Sequence, residues 1–188
     1  GALATRLEAP PLDDLRAVSV NIRERVKCYA DPYTADVLLS RFDYCFEQQG
    51  GSPYPAVLAL TGDLMPGKPR VISGMGGDIE FVPFLQYHGH ISSLGFRVGK
   101  AAYSSDVVDL PDESFEILHG VDVWVLDCLR YTPHPTHAHL DKCLEWIARV
   151  RPKRAVLTNL HVDLDYNELK SKLPAHVEPA YDGMVLDI

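Results

Sequence analysis

The chain has 188 residues, 46% of them apolar and 23% charged, which suits a globular protein with one hydrophobic core. Its net charge of -8 comes from scattered acidic residues. That argues against a broad nucleic-acid-binding face, although a local basic pocket could still hold one phosphate. No apolar run is long enough to span a bilayer and no signal-peptide pattern opens the chain, so a cytoplasmic protein without a membrane partner is expected.

Residues 1–11 show no clear period and read as an irregular segment. Residues 12–188 read as a single domain. Residues 12–25 predict a short helix, with Asp13 and Asp14 at its positive N-terminal end. Residues 25–30 predict a strand. Asp31-Pro32 is a helix start, followed by Val37, Leu38, Phe42 and Cys45 at helical spacing. Short strands follow at 57–60 and 69–72. Gly74-Met75-Gly76-Gly77 is a turn and not a phosphate loop, because no Lys-Ser/Thr follows it. Three strands come next, at 79–87, 94–98 and 101–104, and then a short helix at 111–118.

The pattern continues with a buried strand at 121–126 and an amphipathic helix at 137–150 that places Leu140, Leu144, Ile147 and Ala148 on one face. A strand at 154–160, a helix at 166–173 stopped by Pro174, and a closing strand at 184–188 complete the chain. Alternating strands and helices define an α/β class with at least one face of the sheet covered by helices. Cys28, Cys45, Cys128 and Cys143 are widely spaced, with no Cys-x-x-Cys pair, and read as buried thiols in a reducing compartment.

Polar groups recur where strands end: His88, Asp106, Asp127, and then Thr158, Asn159 and His161. Loops at strand ends usually build the catalytic edge of an α/β sheet. Imidazole suits zinc, manganese and iron, and a carboxylate can bridge two ions. Each residue also has a plainer reading. A histidine after a strand is commonly a turn residue, and Asp106 can start the turn toward Pro111. Asp127, at the end of a very apolar strand, is either paired with an arginine such as Arg130 or functional. In Pro133-His134-Pro135-Thr136-His137-Ala138-His139, Thr136 can cap a helix beside solvated histidines, or a histidine can face the sheet edge as a general acid or phosphate donor. Arg97 and Arg130 are candidate phosphate contacts.

Five pieces of sequence together resemble the metallo-β-lactamase-fold hydrolases, near the phosphoribosyl cyclic-phosphate phosphodiesterases. They are Leu12-Asp13-Asp14-Leu15-Arg16; His88-Gly89 with Leu94-Gly95-Phe96-Arg97-Val98-Gly99; Tyr103 to Asp106; Tyr131-Thr132-Pro133-His134-Pro135-Thr136-His137; and Leu157-Thr158-Asn159-Leu160-His161 running on to Tyr181-Asp182-Gly183-Met184. The resemblance implies a metallo-β-lactamase-like αββα sandwich. It implies His88 as a metal ligand, Asp106 as the carboxylate bridging two metals, and His161 as the last histidine of the second metal. His137, or less directly His134, would contact the scissile phosphate or protonate the leaving group. In many relatives Asn159 is replaced by a second histidine.

The family's His-x-His-x-Asp-His motif would fall on Leu3, Thr5, Leu7 and Glu8, of which only Glu8 suits a metal. The family's preceding strands are missing too, so the expectation is either a fragment or a protein that lacks that part. The resemblance therefore implies two zinc or manganese ions in a complete enzyme, held weakly or not at all by this chain. It implies a metal-dependent phosphodiesterase acting through metal-bound hydroxide on a small cyclic or nucleotide-like phosphate. It also implies a homodimer. The alternative is an inactive binding module of the same fold. A doubly wound nucleotide-binding domain ranks last, for want of a glycine-rich phosphate loop.

Overall fold

The computed structural model describes residues 14–188. The expectations placed on residues 1–11 and on Leu3, Thr5, Leu7 and Glu8 lie outside the described residues. The sequence suggests one domain over residues 12–188; contacts divide the chain into two compact units, Gly1–Met65 and Pro66–Ile188.

The first unit holds α1 (Leu15–Ile22), β1 (Val26–Ala30), α2 (Pro32–Arg41), α3 (Asp43–Phe46) and β2 (Leu58–Asp63). α1 ends at Arg23, whose left-handed backbone (φ 57) turns the chain toward β1. Asp31 caps α2 by accepting from the Thr34 backbone N–H at 3.2 Å, and Pro32 supplies the fixed φ of its first turn. The expected continuous helix through Cys45 breaks at Phe42, whose φ of -133 leaves the helical region. β1 and β2 pair in parallel, and Cys45, Phe46, Val57 and Leu58 form the unit's core.

The second unit is a seven-stranded mixed sheet. Its elements are β3 (Arg70–Gly74), β4 (Gly77–His88), β5 (Ile91–Val98), β6 (Ala101–Ser104), α4 (Asp112–Leu118), β7 (Val123–Asp127), α5 (Leu140–Val150), β8 (Arg154–Thr158), α6 (Tyr166–Lys172) and β9 (Val177–Pro179). Strands lie in chain order from β3 to β9, antiparallel from β3 to β6 and parallel from β6 to β9. One consequence matters for function: β4, β6, β7 and β8 all run in the same direction, so their C-terminal ends share one sheet edge.

Period-2 alternation sorts the strand residues. Phe84, Ala102, Trp124, Leu126, Ala155 and Leu157 enter one core with Phe115 and Leu118 of α4, Cys143, Trp146 and Ile147 of α5, and Leu169 of α6. Fully buried Trp124 keeps its indole N–H satisfied by donating to Ser104 Oγ at 2.9 Å. Arg97 reaches the end of α4, donating to the carbonyls of Ile117 and His119. Through these bonds it clasps that helix end.

Three differences from the sequence reading have physical causes. α5 begins at Leu140, because residues 128–139 are held as a loop by bonds such as Leu129 N–H to Ala138 O at 2.9 Å and Ala138 N–H to Val107 O at 2.7 Å. Its buried stripe is Leu140, Cys143, Trp146, Ile147 and Val150, while Ala148 is exposed. The predicted strand at 184–188 is absent: β9 takes the place beside β8, and Gly183 (φ 86) turns the chain away. Cys45, Cys128 and Cys143 are buried, Cys28 is half-buried, and all four are free thiols, as the sequence suggests.

Gly95 of β5 shows how closely the sheet is packed. A Cβ there would lie 2.3 Å from the Phe84 ring and 2.5 Å from Gln86 Oε1. Overpacking of this kind costs about 1–3 kcal/mol, so Gly95→Ala should lower stability by that order in denaturant unfolding. An unchanged unfolding midpoint would show that Phe84 can move aside at no cost.

Candidate metal centre

The shared edge gathers the polar strand ends. His88 closes β4 and is buried. Its Nδ1 lies 2.7 Å from the Thr136 carbonyl oxygen, which can only accept, so Nδ1 carries the proton and the lone pair is on Nε2. Gly89 makes this approach feasible. It has φ 68, and a Cβ there would lie 2.8 Å from Thr136 Cγ2.

Asp106 follows β6 in a left-handed conformation, φ 53. Side chains from β4 and β5 hold this turn. Fully buried Gln86 donates Nε2–H to the Ser105 carbonyl at 2.8 Å, and Ser93 Oγ donates to the Asp106 carbonyl at 2.8 Å. The carboxylate is thereby carried to the edge on a fixed backbone.

Asp127 ends β7 and is completely buried. Its Oδ2 accepts from the Val107 backbone N–H at 3.2 Å and lies 2.6 Å from His137 Nδ1. Its Oδ1 accepts from Asn159 Nδ2 at 2.9 Å. Of the two sequence readings for Asp127, pairing with Arg130 is excluded. That guanidinium donates to the carbonyls of Thr132 and Pro133 and braces the loop.

The carboxylate partner fixes His137 with its proton on Nδ1 and its lone pair on Nε2, the arrangement of a metal-ligating histidine backed by a carboxylate. The His88 and His137 rings stand 4.7 Å apart at 77°. Ligand atoms of His88, Asp106 and His137 all lie within 4.8 Å of one another. Two imidazoles with oriented nitrogens and one carboxylate are a donor set that fits a divalent transition metal.

The other expected residues are placed differently. His134 packs 5.4 Å from the His137 ring, and its Nδ1 accepts from the Thr136 backbone N–H at 3.3 Å. Desolvation, then the neighbouring Arg130 charge, holds its pKa below the usual histidine value. His161 is outside the cluster. Its Nδ1 pairs with Asp163 at 3.2 Å, and its side chain is half exposed. Asn159, read from the sequence as a polar strand end and as the place of a second histidine in many relatives, sits against the buried carboxylate with φ 60. Its position directly after a strand was the available signal.

Comparison with known proteins places this geometry. The beta-lactamase superfamily domain model matches residues 11–159, and the chain belongs to that family. A crystal structure of a diphosphatase from the PhnP family is similar at 31% identity and TM-score 0.78, covering 94% of this chain and 65% of that one. Human tRNase Z, short form, superposes with TM-score 0.68 at 14% identity, covering 100% of this chain and 77% of that chain. An octanoyltransferase of Porphyromonas gingivalis (strain ATCC BAA-308 / W83) is 28% identical over 177 residues, covering 92% of this chain and 34% of that protein. The chain thus spans about a third of the curated relative and just under two thirds of the diphosphatase. The architecture is the metallo-β-lactamase-like αββα type with a mixed sheet. No helix among the described residues is long and apolar enough to cross a membrane.

Partners behind metal-ligating histidines typically contribute about 10–100-fold in metal affinity, so Asp127→Asn should weaken Zn²⁺ or Mn²⁺ binding by that order in calorimetric titration. Wild-type affinity in this variant would mean that loop packing alone orients His137.

Proposed function

We propose that the protein is a metal-dependent hydrolase of phosphate esters, acting as a phosphodiesterase on a small cyclic or nucleotide-like phosphate. The observation that carries this reading is the convergence of His88, Asp106 and His137 at the edge where β4, β6 and β7 end. The similarity to a diphosphatase supports a phosphorus-centred substrate. The name octanoyltransferase belongs to a protein about two thirds of which this chain does not match. Acyl transfer onto a thiol would need a reactive cysteine, whereas Cys143 is buried, with its pKa pushed well up by the Cys128 thiol beside it and by burial.

His88, Asp106 and His137 would hold a divalent ion, which when bound would supply Lewis acidity toward a phosphoryl oxygen and a more acidic water. The protein's own groups do the positioning. Thr136 aligns His88, Asp127 aligns His137, and the Gln86–Ser93 pair sets the turn that presents Asp106. His134 is neutral at pH 7 because its pKa is lowered. With Nδ1 accepting from Thr136, its Nε2–H is the donor, which suits orienting a phosphoryl oxygen and not delivering a proton. His161 is proposed as the ligand that a second ion would recruit.

The Asp127–His137 bond favours a second role for His137, since a buried carboxylate also stabilises an imidazolium that protonates a leaving group. Substrate choice separates the two. If His137 is a ligand, His137→Ala should lose metal and hydrolyse esters of good and poor leaving groups equally badly. If it is the acid, the variant should retain metal and nitrophenyl ester hydrolysis while losing activity on alkyl esters.

The primary test is metal analysis with phosphodiester hydrolysis on the purified chain. Metal-dependent hydrolysis is expected, abolished by a chelator and reduced to near background in His88→Ala and Asp106→Ala. Binding without hydrolysis of any phosphate ester would remove the substrate class. Neither binding nor hydrolysis would favour the inactive module.

A further inference from the structure

We infer that Asn159 is a positioning residue, which locks the buried Asp127 carboxylate and through it the His137 ring. The inference rests on the proposed reading of His137 as part of the site.

A carboxylate with no exposure needs donors on both oxygens. Val107 N–H and His137 Nδ1 both serve Oδ2, and Asn159 Nδ2 serves Oδ1 at 2.9 Å. The terminal torsion of aspartate is broad, so a donor on each oxygen is what fixes the carboxylate plane. That plane determines where Oδ2 meets the imidazole. The amide orientation is itself determined: its reverse would set the amide oxygen against a carboxylate oxygen.

The backbone explains why asparagine stands here. The position has φ 60, in the left-handed region. Beside glycine, asparagine is among the few residues that tolerate that region. Glycine lacks the amide donor, and aspartate would place a second negative charge against Asp127. Asparagine meets both demands, with a backbone that accepts this conformation and a neutral amide that donates to the carboxylate. Although Asn159 is itself exposed, its amide reaches a fully buried group.

The substitution series Asn159→Gly, Asn159→Ala and Asn159→Asp separates the amide from the backbone. Glycine removes the amide without strain, and alanine removes it with strain. Two readouts are needed. In metal-free protein, the His137 Nδ1 proton should give a downfield, slowly exchanging NMR resonance, assigned by its loss in His137→Gln. It should broaden or vanish in Asn159→Gly. In Mn²⁺ or Zn²⁺ titration, Asn159→Gly and Asn159→Ala should weaken binding alike, by about tenfold, and Asn159→Asp should not recover it.

A wild-type resonance and wild-type affinity in Asn159→Gly would overturn the inference while leaving the metal site standing. Loss of affinity in Asn159→Ala but not in Asn159→Gly would also overturn it, by assigning the effect to backbone strain. Absence of metal binding by the wild-type protein would overturn the metal reading, and the metal-free spectrum would still decide whether Asn159 holds the ring.

Discussion

A negative charge removed from water at the end of β7 organises the rest of this edge. Leaving a carboxylate buried and unpaired costs several kcal/mol, so the chain must bring donors to Asp127 or not fold this way. The donors come from three separate places: the turn after β6 supplies Val107 N–H, the loop before α5 supplies His137, and the residue after β8 supplies Asn159. The main chain is tied at the same point. Cys143 Sγ reaches the Asp127 carbonyl, and Cys128 N–H bonds to the Thr158 carbonyl at 2.9 Å. Satisfying one charge therefore fixes three loops relative to one another, and those loops carry the candidate chemistry.

The opposite side of the cluster depends on a different device. Asp106 and His88 are held by neutral hydrogen bonds and by close backbone approach, not by charge. Gln86 and Ser93 point to the same face of the sheet and grip consecutive carbonyls, which keeps Asp106 in its left-handed conformation. Gly89 lets the 133–137 loop come near enough for Thr136 to orient His88. Gly95 lets Phe84 and Gln86 pack over β5. The Asp106 turn is thus held from β4 and β5, whereas His88 takes its orientation from the 133–137 loop.

How much of this was legible in the sequence follows from the same distinction. Strand ends are visible because period-2 apolar runs stop abruptly at polar residues. His88, Asp106 and Asp127 were accordingly found as candidates from the residues themselves. The α/β class follows from the alternation of strands and helices, but the strand directions do not, and the closing strand is expected at 184–188 where the structure has β9 at Val177–Pro179. An apolar run at 184–188 cannot report that β9 already occupies the sheet edge. The path of residues 128–139 is set by long-range bonds to Val107 and within the loop, which no periodicity reveals. For that reason α5 is expected from His137, and His137 is expected at the site as a catalytic group and not as a member of the triad. The role of Asn159 was hidden for a further reason: left-handed backbone at a non-glycine residue leaves little mark in a sequence.

Charge balance then bears on what such an edge can hold. The triad contributes one carboxylate, Asp106, and two imidazoles that are neutral when they ligate. Asp127 adds a second negative charge directly behind His137. Two negative charges match one divalent ion, and coordination with this pairing needs no further compensation from the protein. A second ion would add two positive charges at the same edge. His161, the ligand proposed for it, brings no charge as a neutral imidazole, and its Asp163 partner is an exposed carboxylate, screened by solvent. The described residues thus supply at this edge the negative charge that a bound divalent ion requires.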